Sequence, residues 1–265
     1  MNKNFIHVSA ESGLNSLSEN PCDLLDFGLL VLEDGQSHSL ETGDREVLAV
    51  ILGGKATFEC GSQTFESIGE RANVFDGKPT SVYLPCNSSA TITGVGKVEI
   101  ALCSAPSDLA GEAYVISADQ VVTGTWGRLN FTRHFHQILT ESSHPDLPAR
   151  RLIVGETFTP SGNWSTYPAH KHEVDDLPNE AFHEEMYFFR ITPEDGFGIT
   201  RFYHSEADEV NFTVRNNSIL MLPDGYHTYV GAPGFNSYYL WFLAGEHRVQ
   251  AVTQDAVQER EVNKL

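Results

Sequence analysis

Short runs of apolar or alternating residues, each closed by Gly, Asn or Pro, recur along the whole chain. In the first half they are "REVLAVILGGKATFEC", "TSVYLP", "SATITGV" and "KVEIALCSA". A second set follows: "RLIVGETFT", "EEMYFFRIT", "FGITRFYH", "NFTVRNNSILMLP", "HTYVGA" and "SYYLWFLAG". Their length and their Val, Ile, Thr, Tyr and Phe content predict strands. "VILGGKATFE" predicts a β-hairpin, with Gly53-Gly54 supplying the positive φ angles of a tight turn. Long 3.6-residue periodicity is absent. The one segment with a mixed pattern, "GRLNFTRHFHQIL" at 127–139, suits a connecting helix or an irregular linker. The expectation is an all-β fold of many short strands at sandwich or barrel spacing.

The two sets resemble each other. "Glu46-Val-Leu-Ala-Val" opens a strand as "Glu185-Met-Tyr-Phe-Phe" does, "SVYLP" matches "ILMLP", and "KVEIALCSAP" parallels "SYYLWFLAGE". This predicts a duplicated barrel: an N-terminal unit at 1–106, a linker at 107–145 and a C-terminal unit at 146–265.

Charge narrows the partners. Among 265 residues, 36 Asp and Glu against 17 Lys and Arg give a net charge of −19, which argues against nucleic acid or an anionic membrane. An anionic ligand would need a local cationic pocket. Cys22, Cys60, Cys86 and Cys103 form no C-x-x-C pair, so buried reduced thiols in a cytoplasmic protein are expected. No run is long enough for a signal peptide or a membrane span.

The candidate chemistry lies in the second half. If "YPAHKHE" is extended, His170 and His172 share one face about 7 Å apart, and Lys171 takes the other. Two such imidazoles converge on one ion if further ligands arrive. Glu185 shares a strand face with Tyr187 and Phe189, a costly place for a carboxylate without a cation. His227 follows the turn "Leu-Pro-Asp-Gly-Tyr". An H-x-H alone is more often a surface or packing pair. The order H-x-H, strand-borne Glu, then Pro-x-Gly-x-His is more specific.

That order resembles the cupin superfamily, whose barrels hold a divalent metal through three His and one Glu. Two departures stand out: twelve residues separate His172 from Glu185, and the last turn reads Pro-x-Gly-x-His instead of Pro-Gly-x-x-His. At closer range, "VGETFTPSGNWSTYPAHKHE", "EEMYFFR", "GFGITRFY", "LPDGYHTYVGAPGFNSYYL" and "AGEHR" resemble the 5-deoxy-glucuronate isomerase family of myo-inositol catabolism. "VILGGKATFECGSQTFESIGERANVF" and "ALCSAP" agree too, so the likeness spans about residues 46 to 248. The family is also similar to 5-keto-4-deoxyuronate isomerases.

The resemblance implies a tandem cupin (bicupin) and a metal site at His170, His172, Glu185 and His227. Glu184 competes for the carboxylate role, but alternation turns it away from Tyr187 and Phe189. Zinc is the expected ion, with manganese, iron or nickel as alternatives. The N-terminal unit has Glu46 at the place of Glu185 but Ser89 at the place of His227, and His38 is not part of an H-x-H. It therefore reads as a metal-free half. His134, His136 and His144 read as surface or packing residues. The implied reaction converts 5-deoxy-glucuronate to 5-dehydro-2-deoxy-gluconate without a redox cofactor. Alternatives are an isomerase of another uronate, a cupin dioxygenase and a non-catalytic sugar-acid binder.

His183 and Glu184 are the candidates for proton transfer. For the substrate, Arg201 is the expected carboxylate partner, with Tyr203 on the same strand face and Tyr229 two residues beyond His227. The loop 173–184, "EVDDLPNEAFHE", is a candidate lid, and a homo-oligomer is expected by analogy only.

Overall fold

The two longest strands, Arg45–Cys60 and Ser89–Pro106, organise the first half of the molecule, a computed structural model that describes residues 3–265. They pair with each other along most of their length at the centre of an eight-stranded sheet. Gly53 and Gly54 do not close a hairpin. The strand runs straight through them, with register shifts between Ile51 and Lys55. Gly54 has φ +92°, and a Cβ there would meet the Lys97 carbonyl oxygen at 2.2 Å. The irregularity changes which residues face inward. Val47, Ala49 and Ile51 before it, and Ala56, Phe58 and Cys60 after it, join one apolar cluster. Two glycines permit a bulge as readily as a turn, which is why the sequence reads as a hairpin.

The second half is a sandwich of a seven-stranded and a five-stranded sheet. Between them Phe189, Ile191 and Leu220 of the larger sheet meet Phe202, Val214 and Tyr229 of the smaller. A third apolar cluster joins the halves, with Leu48 and Val50 from one and Met186 and Phe188 from the other. Successive residues of these strands thus alternate between a barrel interior and the seam between barrels. Burial on both faces explains the unbroken apolar runs "VLAVIL" and "MYFF".

Residues 107–145 contain three strands. Tyr114–Ile116 pairs with Ser81–Leu84 of the first half, whereas Val122–Trp126 and Arg133–Leu139 extend the larger sheet of the second beyond Leu152–Thr159. The expected helix or irregular linker at 127–139 is therefore a 3-10 turn, Leu129–Phe131, leading into a strand. The strand Phe5–His7 crosses back to pair with Ser218–Leu222. All four cysteines are buried and unpaired. No helix among the described residues is long and apolar enough to cross a membrane.

Two buried glutamates pin the halves together. The Glu184 carboxylate accepts hydrogen bonds from the backbone N–H groups of Asp23, Leu24 and Leu25, at 2.8–3.0 Å. Reciprocally, Glu46 accepts from Arg150, Arg151 and Leu152 and from the Tyr83 hydroxyl. Strand register makes these two residues equivalent: Glu46 lies opposite Ala105 and Glu184 opposite Ala244. One place on, Val47 lies opposite Leu84 as Glu185 lies opposite Leu222. Glu46 is therefore the counterpart of Glu184, and the position of Glu185 is filled by Val47. The expected match of Glu46 with Glu185 is off by one residue, which in a strand is the difference between seam and barrel interior.

Candidate metal centre

Three strands deliver the four side chains. His170 lies near the end of Trp164–Lys171, opposite His227 at the start of Tyr226–Gly231. His172 follows the first strand, and Glu185 is the second residue of Glu184–Thr192 in the facing sheet. Gly225, with φ +83°, turns the chain into the His227 strand; a Cβ there would press to 2.7 Å from the Phe202 ring. Alternation is kept. His170 and His172 turn inward with rings 5.8 Å apart, while Lys171 turns out to pair with Glu173 and lies over the Tyr226 ring.

One potential ligand atom from each of His170, His172, Glu185 and His227 falls within 4.8 Å of the others, a cluster able to hold a metal ion. Glu185 Oε2 is 3.1 Å from His172 Nε2 and 3.0 Å from His227 Nε2. Both rings are oriented from behind: His172 Nδ1 lies 2.6 Å from the His183 carbonyl oxygen and His227 Nδ1 3.3 Å from that of Gly225. Each Nδ1–H donates to its carbonyl, which leaves the Nε2 lone pairs facing the carboxylate. Neutral rings so placed face the carboxylate with lone pairs, an arrangement that a shared proton or a metal cation completes. His227 Nε2 is moreover buried, and its 3.0 Å contact with Glu185 lacks hydrogen-bond geometry. The donor set thus fits a divalent ion, with three neutral imidazoles and one carboxylate leaving a net positive centre.

Electrostatics agree. Burial would raise the Glu185 carboxyl pKa, but contacts with His172 and His227 outweigh it and hold it well below the usual carboxylate range. Burial lowers His172, and the Glu185 carboxylate more than reverses this, so its pKa lies above 6.5. His170 is pushed well below 6.5 by burial and by His227.

The cluster opens on a cavity of about 590 Å³, walled by Trp126, Tyr187, Tyr239 and Trp241 and containing His183 and Arg133. The C-terminal segment, including Gln250, Val252, Gln254, Glu259 and Val262, completes the lining. Of the loop 173–184 only His183 lines the cavity, and Glu180 ties that loop to itself by accepting from the N–H groups of Glu173 and Val174.

The chain matches the KduI/IolB family over residues 10–260. It is 39% identical over 224 residues to a protein of Geobacillus kaustophilus named 5-deoxy-glucuronate isomerase, covering 84% of this chain and 80% of that one. The chain belongs to the KduI/IolB family. A Bacillus subtilis protein of the same name is 37% identical over 245 residues, 91% of this chain and 89% of that one. In structure, an IolB-like protein from Salmonella typhimurium superposes with TM-score 0.90 at 29% identity, over 98% of both chains. The oxalate decarboxylase of Lactobacillus farciminis, at 11% identity, has TM-score 0.63 over 94% of this chain and 86% of that one. At that identity it shows the tandem-barrel fold alone.

For this KduI/IolB chain, the remaining expected site residues lie elsewhere. Arg201 is on the outer face of its strand, paired with Glu209 at 2.6 Å and stacked over Tyr203. The Tyr203 hydroxyl donates to Asp255. Tyr229 does face inward as His227 does, but its hydroxyl bonds Ser237 inside the aromatic core. None of the three lines the cavity. Alternation places Arg201 and Tyr203 together without deciding which face points in, and the inward place goes to Phe202, opposite His227. Glu184 is occupied at the seam. His183 is buried beside the cluster, with Nε2 2.6 Å from the His247 carbonyl oxygen. Arg133 escaped the sequence reading because its segment reads as linker; strand alternation applied to "RHFHQIL" was the available signal.

Proposed function

We propose that this chain is a 5-deoxy-glucuronate isomerase, interconverting that aldehyde acid and 5-dehydro-2-deoxy-gluconate. His170, His172, Glu185 and His227 would hold one divalent ion, zinc as first assignment. The observation that carries the reading is the convergence of three imidazoles on Glu185 at the floor of the cavity. The isomerase relatives at 37–39% identity supply the substrate.

A bound divalent ion would supply Lewis-acid polarisation of the carbonyl and of the neighbouring hydroxyl. The chain's own residues supply the rest. Aldose–ketose conversion removes a proton from the hydroxyl-bearing carbon and returns one to the former aldehyde carbon. His183 is suited to carry it: the Nε2–H is committed to the His247 carbonyl, and burial lowers the ring's pKa, so Nδ1 keeps a free lone pair. Tyr187 and Tyr239 stay protonated, their pKa values raised by burial; the Tyr187 hydroxyl donates to Glu185 and the Tyr239 hydroxyl is bonded to Ser165, so both rings form fixed cavity wall.

The test is incubation with 5-deoxy-glucuronate in D₂O, followed by NMR. Loss of the aldehyde signal with deuterium at the new methylene carbon is expected. An unchanged aldehyde in metal-loaded protein refutes the assignment.

A further inference from the structure

Arg133 begins the strand Arg133–Leu139, opposite Trp126, and among the described residues is the only Arg or Lys lining the cavity. Every other arginine that is at least half-buried donates a hydrogen bond. Arg71 bonds Glu156, Arg190 bonds Glu99, Arg201 bonds Glu209, and Arg45 and Arg248 bond backbone carbonyls. Arg133 is half-buried and has no hydrogen bond or ion pair among the described residues. Packing alone places it. Its guanidinium carbon lies 5.6 Å from the centre of the Trp126 ring, and Nη1 passes so close over Gly127 that a Cβ there would stand 3.1 Å away. It lines the same cavity as His170, His172 and Glu185 of the cluster and as Tyr187 and Tyr239.

A partly desolvated guanidinium with all five donors unspent is costly unless an anion completes it. In a chain with more than twice as many acids as bases, no carboxylate of the protein takes the place. We propose that Arg133 receives the carboxylate of the substrate. The acid end of the molecule then lies against the Trp126 wall, while the carbonyl end meets His170, His172, Glu185 and His227. This assignment rests on the isomerase reading above and specifies how its substrate is held. The planar fork of arginine matches a carboxylate bidentately, so it selects sugar acids over neutral sugars of equal length.

The test compares binding of 5-deoxy-glucuronate with that of 5-deoxy-glucose, which carries CH₂OH in place of the carboxylate. Calorimetric titration uses the metal-loaded wild type, Arg133→Gln and Arg133→Lys, with metal content and unfolding midpoint recorded for each. A charge-assisted bidentate pair predicts that Arg133→Gln weakens the acid about 10- to 100-fold. The neutral sugar should change less than about twofold, and Arg133→Lys should recover part of the acid's affinity. Equal affinity of Arg133→Gln and wild type for the acid overturns the proposal. So does equal weakening of acid and neutral sugar, or equal binding of both by the wild type. If Arg133→Gln does not fold, a folded Arg133→Lys with unaltered selectivity overturns it as well. The isomerase reading fails separately: a wild type that binds the acid through Arg133 and leaves its aldehyde unchanged keeps the anchor and loses the reaction.

Discussion

Each imidazole at the centre has one nitrogen that is free to act because the other is spoken for, or because burial keeps the ring neutral. His172 gives one N–H to a backbone carbonyl, His227 does the same, and both present the second nitrogen to Glu185. This arrangement has a pH signature in the metal-free protein. The folded-state pKa of His172 is raised above 6.5 and that of Glu185 is depressed below 4.5. The pair's stabilisation is therefore fully present between those ordinary values. It is lost as pH rises through the His172 pKa, and again as pH falls through that of Glu185. Melting of metal-free wild type against Glu185→Gln from pH 5 to 9 should show the wild-type advantage shrink as pH rises through the His172 pKa. Metal affinity should move the other way, rising over the same range as the competing proton leaves. A difference that stays flat with pH contradicts the coupling of these two residues.

At the scale of elements, one strand has two jobs on its two faces. The strand Glu184–Thr192 sends Glu185 into the barrel, whereas Glu184 enters the seam to hold Asp23, Leu24 and Leu25. Neighbouring glutamates of like sequence thus carry unrelated roles. Glu184→Gln should cost about 1–3 kcal/mol of stability, because a carboxamide cannot accept at both of its ends from the three N–H groups. Thermal unfolding checks this, and the variant should keep its metal and its activity at temperatures where it is folded. Loss of metal with unchanged stability would mean that the two glutamates had been assigned the wrong way round.

Much of this scale was legible in the sequence. Period-two alternation sorts His170 and His172 from Lys171, and Glu185 from Glu184, because a strand with one face in a barrel allows only one parity. Alternation does not say which parity is inside where both faces carry apolar groups, so it groups Arg201 with Tyr203 without showing that the structure puts both on the outer face. Nor does it detect a bulge: Gly53-Gly54 reads as a turn because both conformations demand glycine. Arg133 was hidden by a strand whose exposed and half-buried residues alternate weakly at the barrel junction.

Across the whole molecule, the N-terminal barrel serves the site without holding a copy of it. Its counterpart of Glu185 is Val47, packed in an apolar interior. Its contributions are the Glu46 anchor and Arg71, which crosses the seam to a bidentate pair with the fully buried Glu156. One half thereby braces the sheet from which the other presents Glu185. The proposed function puts the reaction at the one His/Glu cluster, in one barrel, and so predicts dependence on a single divalent ion. The most direct measurement strips the metal with a chelator, restores zinc or manganese under argon, and follows aldehyde loss from 5-deoxy-glucuronate. Activity should vanish on stripping and return in proportion to metal, reaching its maximum at one ion per chain without oxygen. Full turnover by the stripped protein, or turnover only when oxygen is admitted, would contradict the account.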